Sequence, residues 1–229
     1  MRKIVIAGCA IAFLANFSVT DGTYATVKPA TVKSADAKTV LESLTIKGRA
    51  PKTGYSRKQF GSAWLDVDRN GCDNRNDVLR RDFINTVFKP GTRNCKVIGG
   101  DWTDVYTGDT YHFVKQPSQV SIDHVVALSD AWQKGAQQLT AAKRKYFAND
   151  PLNLIGATKR VNSQKSDSDA ASWLPPNKSF RCHYVARQIA VKQKYGLWVT
   201  QAEHDAMARV LAAPLCANTG LPTGQERVW

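Results

Sequence analysis

The sequence has little acidic charge, few histidines and no long apolar run of the kind that membrane proteins carry. It contains 19 Asp and Glu against 32 Lys and Arg, with four His. No stretch approaches the roughly 20 uninterrupted apolar residues of a membrane-spanning helix, and there is no internal repeat or low-complexity segment. Hydrophobic residues still make up 43% of the 229 residues, which is enough for the core of one domain.

The first 25 residues have the composition and order of a secretory signal peptide. Arg2 and Lys3 precede an almost entirely apolar or small stretch over residues 4–17, and residues 23–25 offer small side chains at the −3 and −1 positions of a cleavage site. This order favours an export signal over a buried N-terminal helix. We therefore expect a secreted, extracellular protein, with a flexible leader over residues 26–35.

Basic residues dominate the charge of the remaining chain. Removal of residues 1–25 takes away Arg2, Lys3 and Asp21 and leaves a net charge of +12. A positive field of this size concentrates polyanions, and nucleic acid is the commonest such partner. The charge alone does not distinguish nucleic acid from an anionic cell surface, or from charge that serves solubility.

Four cysteines remain after the leader: Cys72, Cys95, Cys182 and Cys216. An even number in an exported chain indicates two disulfides. Three pairings are possible, and proximity in the sequence favours Cys72–Cys95 and Cys182–Cys216. None of the spacings is Cys-x-x-Cys, which argues against a zinc knuckle.

Hydrophobic periodicity predicts an α+β chain in which helices predominate. The predicted helices cover about 36–44, 76–88, 128–136, 140–147, a stretch from 159, 180–195 and 200–212. The predicted β elements are a hairpin over 105–114, a buried strand over 120–126 and an extended segment over 151–155. Residues 48–63 are expected to be loop.

An acidic stretch, Asp66-Val67-Asp68-Arg69-Asn70-Gly71, matches the first half of a calcium-binding loop. Asp77 stands at the twelfth position, where such loops carry a glutamate. The charge of Arg69 and the absence of a helix before the loop weaken this interpretation. We favour a glycine-containing turn over a calcium site.

A polar pair, Asp123-His124, interrupts the apolar strand over residues 120–126. Burying a carboxylate and an imidazole costs free energy unless each has a partner. Adjacent strand residues point to opposite faces, so both can serve one site only where the strand ends or bends. Further along, Asn162 and Lys165 are three residues apart and share one face of a predicted helix.

These residues, in this order, resemble the HNH, or ββα-metal (His-Me finger), nucleases. The resemblance rests on Asp-His in a strand, then Asn-Leu, then Asn-x-x-Lys on a helix. More narrowly, Ile-Asp-His-Val-Val-Ala-Leu, Ala-Asn-Asp-Pro-Leu-Asn-Leu and Trp-Leu-Pro-Pro look like bacterial secreted HNH proteins related to the C-terminal domain of modification-dependent restriction enzymes. The resemblance implies a ββα-metal core, with its motifs within about 104–176, in a single disulfide-stabilised domain over residues 36–229.

The resemblance also implies a role for each motif residue. His124 matches the histidine that activates water, and Asp123 and Asn162 match the two metal ligands of the protein. Asn153 matches the asparagine that fixes the loop and orients the histidine by hydrogen bonding. Lys165 matches a basic residue near the phosphate.

The implied activity is metal-dependent cleavage of nucleic acid by an extracellular endonuclease. Hard oxygen ligands favour Mg²⁺, with Mn²⁺ and Ca²⁺ as alternatives. Lys159 and Arg160 are expected to contact substrate phosphates, which position a duplex without reading its sequence. We expect a monomer that cleaves DNA with little sequence preference. The motif does not report whether RNA is also a substrate. The alternative is a catalytically inactive secreted protein that binds nucleic acid or the cell envelope.

Overall fold

Helices and short strands alternate along the part of the chain that the structure, a computed structural model, describes: residues 35–114 and 119–228. The predicted signal peptide and residues 26–34 of the predicted leader lie outside these residues. The helices are α1 (Ala37–Ser43), α2 (Asn74–Asp82), α3 (Leu128–Gln133), α4 (Ala141–Asn149), α5 (Lys159–Lys165), α6 (Arg181–Tyr195) and α7 (Gln201–Leu211). The strands are β1 (Phe83–Phe88), β2 (Val97–Thr103), β3 (Thr110–Phe113), β4 (Val120–His124) and β5 (Leu154–Thr158).

Side-chain caps determine where several of the helices begin. Thr158 ends β5 and caps α5 by accepting a hydrogen bond from the amide of Val161, so the chain passes directly from strand to helix. Thr140 caps α4 in the same way through the amide of Lys143. Thr200 caps α7 through the amide of Glu203.

The region around the first sheet differs from the prediction. The expected helix over 76–88 ends at Asp82, and the chain continues as β1, which pairs antiparallel with β2. Aromatic and β-branched residues favour a strand here, and the ring of Phe83 stacks on Trp102 of β2 at a centroid distance of 6.1 Å. β3 pairs with β2 and not with a strand at Val105, so the expected hairpin over 105–114 is wrong.

The second sheet consists of β4 and β5, paired antiparallel. His124 lies opposite Leu154 at one end, and Val120 lies opposite Thr158 at the other. α5 follows β5 directly and packs on both strands, so the helix runs back toward the His124 end. α3 and α4 form an insertion between the two strands. This topology brings residues from β4 and α5 together although about 40 positions separate them.

Apolar packing and two disulfides hold these elements together. The largest core cluster joins α1, α6 and α7 to the face of the β4–β5 sheet through residues such as Ile155 and Val185, both fully buried. Cys72 is bonded to Cys95, and Cys182 to Cys216, which confirms the favoured pairing. The fold is thus a mixed α+β domain with small sheets. Among the helices of residues 35–114 and 119–228, none has the length and apolar character that crossing a bilayer requires.

The acidic stretch before α2 folds as a turn around Asn70. The amide side chain of Asn70 donates to the carboxylates of Asp68 and Asp77, each at 3.0 Å. Gly71 adopts a φ of +89°, which glycine tolerates without strain. Across the described chain, no group of three or more His, Cys, Asp or Glu side chains is placed to hold a metal ion. The hydrogen bonds of Asn70 and the φ of Gly71 place the expected glycine-containing turn at this point of the chain.

Candidate active site

The imidazole of His124 is held in one orientation at the end of β4. Its Nε2 lies 2.8 Å from the carbonyl oxygen of Ala148, near the end of α4. A carbonyl can only accept, so a neutral ring must carry its hydrogen on Nε2 and leave the Nδ1 lone pair as an acceptor. Burial lowers the pKa of His124 to about 4, against the hydrogen bond to Ala148, and the charges of Arg57 and Lys165 add to the decrease. At neutral pH the ring is therefore uncharged.

Asp123 is a buried carboxylate with two fixed partners. The hydroxyl of Tyr106 donates to Oδ2 at 2.7 Å, and Lys165 Nζ lies 3.1 Å from Oδ1 and 3.0 Å from Oδ2. Burial raises the pKa of Asp123, while Lys165 and Tyr106 oppose the increase. These contacts determine the direction in which the carboxylate points.

Lys165 is fully buried beneath the strand that carries Asp123 and His124. Besides Asp123, its ammonium donates to the carbonyl oxygen of His124 at 2.8 Å. The resemblance had placed this lysine near the substrate phosphate. In the structure Lys165 is fully buried, and its charge is paired with Asp123 inside the protein.

The side chain of Asn162 is oriented by a chain of hydrogen bonds. Its Nδ2 donates to Ser121 Oγ at 3.1 Å, and Ser121 Oγ donates to the carbonyl oxygen of Ala157 at 2.9 Å. With the amide nitrogen engaged, Oδ1 is left without a hydrogen-bond partner among the described residues. Asn162 therefore presents an oxygen donor from α5.

Asn153 ties the loop after β4 to the end of α4. Its Oδ1 accepts from the amide of Val126 at 2.8 Å, and its Nδ2 donates to the carbonyl oxygens of Val126 and Phe147. The expected direct hydrogen bond to the imidazole is made by the Ala148 carbonyl instead. Asn153 can orient His124 only indirectly. It donates to the carbonyl oxygen of Phe147, and the next residue, Ala148, supplies the carbonyl that holds the imidazole.

Asp123, His124 and Asn162 all line one cleft of about 520 Å³. Adjacent residues of β4 reach the same cleft because the strand ends at His124. Another part of the wall comes from residues 52–57, in the segment predicted as loop. Lys159 and Arg160 are not in the wall: they are exposed on the first turn of α5, at the end of the sheet opposite His124.

Comparison with known proteins identifies the family. The family model for the C-terminal domain of GmrSD restriction endonucleases matches residues 73–210. The chain belongs to this family. The chain is also 39% identical over 186 residues to an uncharacterized secreted protein of Arthroderma benhamiae, an alignment covering 80% of this chain and 87% of the relative. No solved structure matches the chain.

The family match covers every motif residue of the cleft but not its whole wall. Asp123, His124 and Asn162 lie within residues 73–210, whereas Arg57 precedes them. Neither Arg57 nor Tyr106 stands in a motif that would have signalled a role in the site. Their contributions depend on how distant segments pack.

Proposed function

We propose that the protein is a secreted, metal-dependent endonuclease in which β4, β5 and α5 form the ββα-metal core. The observation that supports this most is the state of His124. Its imidazole is neutral, its Nε2 is held by a backbone carbonyl, and its Nδ1 is left as an acceptor in a cleft with Asp123 and Asn162. A buried histidine with a purely structural role would use both nitrogens inside the protein.

Hydrolysis of a phosphodiester requires that a water molecule lose a proton as it attacks phosphorus. Nδ1 of His124 can accept this proton, and a well-placed general base contributes a rate factor of about 10² to 10⁴. The Ala148 carbonyl stabilises the imidazolium that results, because Nε2–H donates to it more strongly when the ring is charged. Asn153 keeps this carbonyl in place, because its hydrogen bonds to Val126 and Phe147 tie the loop after β4 to the end of α4.

The donors in the cleft fit a hard divalent cation. The Asp123 carboxylate has lone pairs beyond those used by Tyr106 and Lys165, and Asn162 offers Oδ1. Two protein oxygens suit Mg²⁺, which usually keeps several waters and takes further ligands from substrate phosphate; Mn²⁺ and Ca²⁺ are alternatives. When bound there, the ion would supply Lewis-acid activation of the phosphate and stabilisation of the leaving oxygen.

The proposed substrate is DNA, with RNA as a second polymer to test. The formal net charge of +13 favours polyanions, and exposed Lys159 and Arg160 can add phosphate contacts away from the cleft. Such contacts carry no sequence information, so little sequence preference is expected. The signal-peptide pattern, and the description of the Arthroderma benhamiae relative as a secreted protein, support secretion.

Cleavage assays with the mature chain test the proposal. Plasmid, single-stranded DNA and RNA are incubated with Mg²⁺ or with EDTA, beside His124→Ala and a matched control, His183→Ala, which removes an exposed histidine of α6. We expect Mg²⁺-dependent cleavage that EDTA abolishes and that His124→Ala reduces by about 10² to 10⁴, with His183→Ala unchanged. Circular dichroism checks that both variants fold.

Equal cleavage by His124→Ala and the wild type would contradict the proposed base. Salt-sensitive binding of DNA without cleavage under any metal would favour the alternative, an inactive nucleic-acid-binding protein.

A further inference from the structure

The cleft wall contains two cationic side chains, and only one of them has an anionic partner. Lys52 pairs with Asp167, which also accepts a hydrogen bond from Ser129. Arg57 is exposed, and its guanidinium has no ion pair or hydrogen bond within the described part of the chain. Lys165, the remaining nearby cation, is buried against Asp123. Arg57 is therefore the cleft cation whose guanidinium is available to an anion.

The backbone of Arg57 is anchored although its side chain is not. Arg57 begins a short 3₁₀ turn, Arg57–Phe60, and the ring of Phe60 is buried against Trp132 and Phe147. Phe147 directly precedes Ala148, whose carbonyl holds the His124 imidazole. One aromatic cluster thus positions both Arg57 and the proposed base.

Arg57 and the imidazole share one cleft. Arg57 lines it from the 3₁₀ turn and His124 lines it from the end of β4. An anion bound between them would be contacted by a planar donor that can form two parallel hydrogen bonds to phosphate oxygens.

We infer that Arg57 binds the scissile phosphate of the substrate, next to the water that His124 activates. This assignment rests on the proposed nuclease function and adds a residue outside the matched family region. Arg57 would orient the phosphodiester toward His124 and stabilise the negative charge that develops on the phosphate oxygens during attack. Because no side chain of residues 35–114 or 119–228 binds the guanidinium of Arg57, its donors are available to the substrate.

A kinetic comparison of neighbouring residues tests this assignment. Single-turnover cleavage of a short DNA duplex is measured at saturating enzyme for the wild type, Arg57→Ala, Arg57→Lys and Lys58→Ala. Lys58 is the matched control, since it carries the same charge on the same exposed turn but does not line the cleft. We expect Arg57→Ala to lower the rate about 100-fold, Arg57→Lys to recover part of the loss, and Lys58→Ala to stay within about twofold.

A rate loss shared equally by Arg57→Ala and Lys58→Ala would overturn the assignment, because it would indicate a general electrostatic effect. So would an unchanged rate for Arg57→Ala.

A binding measurement separates this inference from the proposed function. If the wild type cleaves nothing, the nuclease proposal fails, but the phosphate site can still be tested with thymidine 3′,5′-bisphosphate in EDTA. Titration followed by NMR should show a dissociation constant raised at least tenfold by Arg57→Ala and unchanged by Lys58→Ala. Equal affinity of the wild type and Arg57→Ala for this probe would refute the phosphate site.

Discussion

Two neighbouring regions of the molecule bury charge in different ways. Behind the cleft, three cations and three carboxylates form a closed network: Arg49, Lys134, Lys192, Asp130, Asp169 and Glu203. Lys134 Nζ lies 2.7 Å from a carboxylate oxygen of each of the three acids. In the cleft, by contrast, His124 Nδ1, Asn162 Oδ1 and the Arg57 guanidinium have no described partner.

The difference assigns the two regions different roles: the paired network stabilises the fold, and the open cleft can bind a substrate. The network connects α3, the segment after α5, α6 and α7, and it neutralises every charge it contains. Buried ions of this kind are destabilising unless they are fully paired. The cleft leaves donors and acceptors open, which costs stability but allows them to meet a substrate. Substitutions in the network should therefore affect folding, and substitutions in the cleft should affect activity.

The largest effect on stability is expected from Lys134→Met. This change leaves three buried carboxylates with too little positive charge, which costs about 3–5 kcal/mol of unfolding free energy. Chemical denaturation measures the loss. Lys52→Met is the control, because Lys52 and Asp167 are both about half exposed in their pair and an exposed pair contributes under about 1 kcal/mol. Similar losses for the two variants would contradict the importance of the closed network.

Lys165→Met changes a residue that shares features of both regions: it is buried and paired, as in the network, but it contacts Asp123 and His124 of the cleft. It removes the cation from beneath Asp123 and the donor to the His124 carbonyl. We expect a loss of about 3 kcal/mol in unfolding free energy, together with a drop in cleavage of more than about 100-fold because the Asp-His pair is no longer held. Retained stability with lost cleavage would instead indicate that Lys165 acts on the substrate, as the family resemblance implied.

Tyr106→Phe is expected to have a smaller effect of the same kind. It deletes the hydroxyl that donates to Asp123 and keeps the buried ring. The loss should be about 1–2 kcal/mol, since a hydrogen bond to a charged group disappears. Denaturation and cleavage rates, measured in parallel, show whether Tyr106 positions the carboxylate: wild-type values in both would exclude this role.

An effect on the same scale concerns the pH dependence of stability. Hydrogen bonds and charges from Lys134 and Arg49 lower the pKa of Asp169 from 3.8 to about 2, against the opposing effect of burial. A lowered pKa stabilises the folded state above pH 3.8, and this contribution is lost as the pH falls toward 2. Asp169→Asn should remove up to about 2 kcal/mol of this acid-dependent change. An identical pH profile for wild type and variant would contradict the paired state of Asp169.

Local sequence patterns predicted the helices of the second half well, along with β4. They were misleading at Asp82, where the helical periodicity continued into residues that form β1, because the aromatic and β-branched side chains there and the pairing with β2 outweigh the helical pattern. They also gave no sign that Lys165 is buried, since a lysine three residues after an asparagine on a helix is usually exposed. The network and Arg57 depend on contacts between segments far apart in the chain, which local patterns do not report.

The tautomer of His124 tests the central claim most directly. A long-range ¹H–¹⁵N NMR spectrum of the folded, metal-free protein at pH 7 shows which ring nitrogen carries the hydrogen, and the signals that disappear in His124→Ala give the assignment. The structure predicts a neutral ring with hydrogen on Nε2, an unprotonated Nδ1, and titration only near pH 4. A ring protonated on Nδ1 at pH 7, whether neutral or charged, would contradict the proposed base.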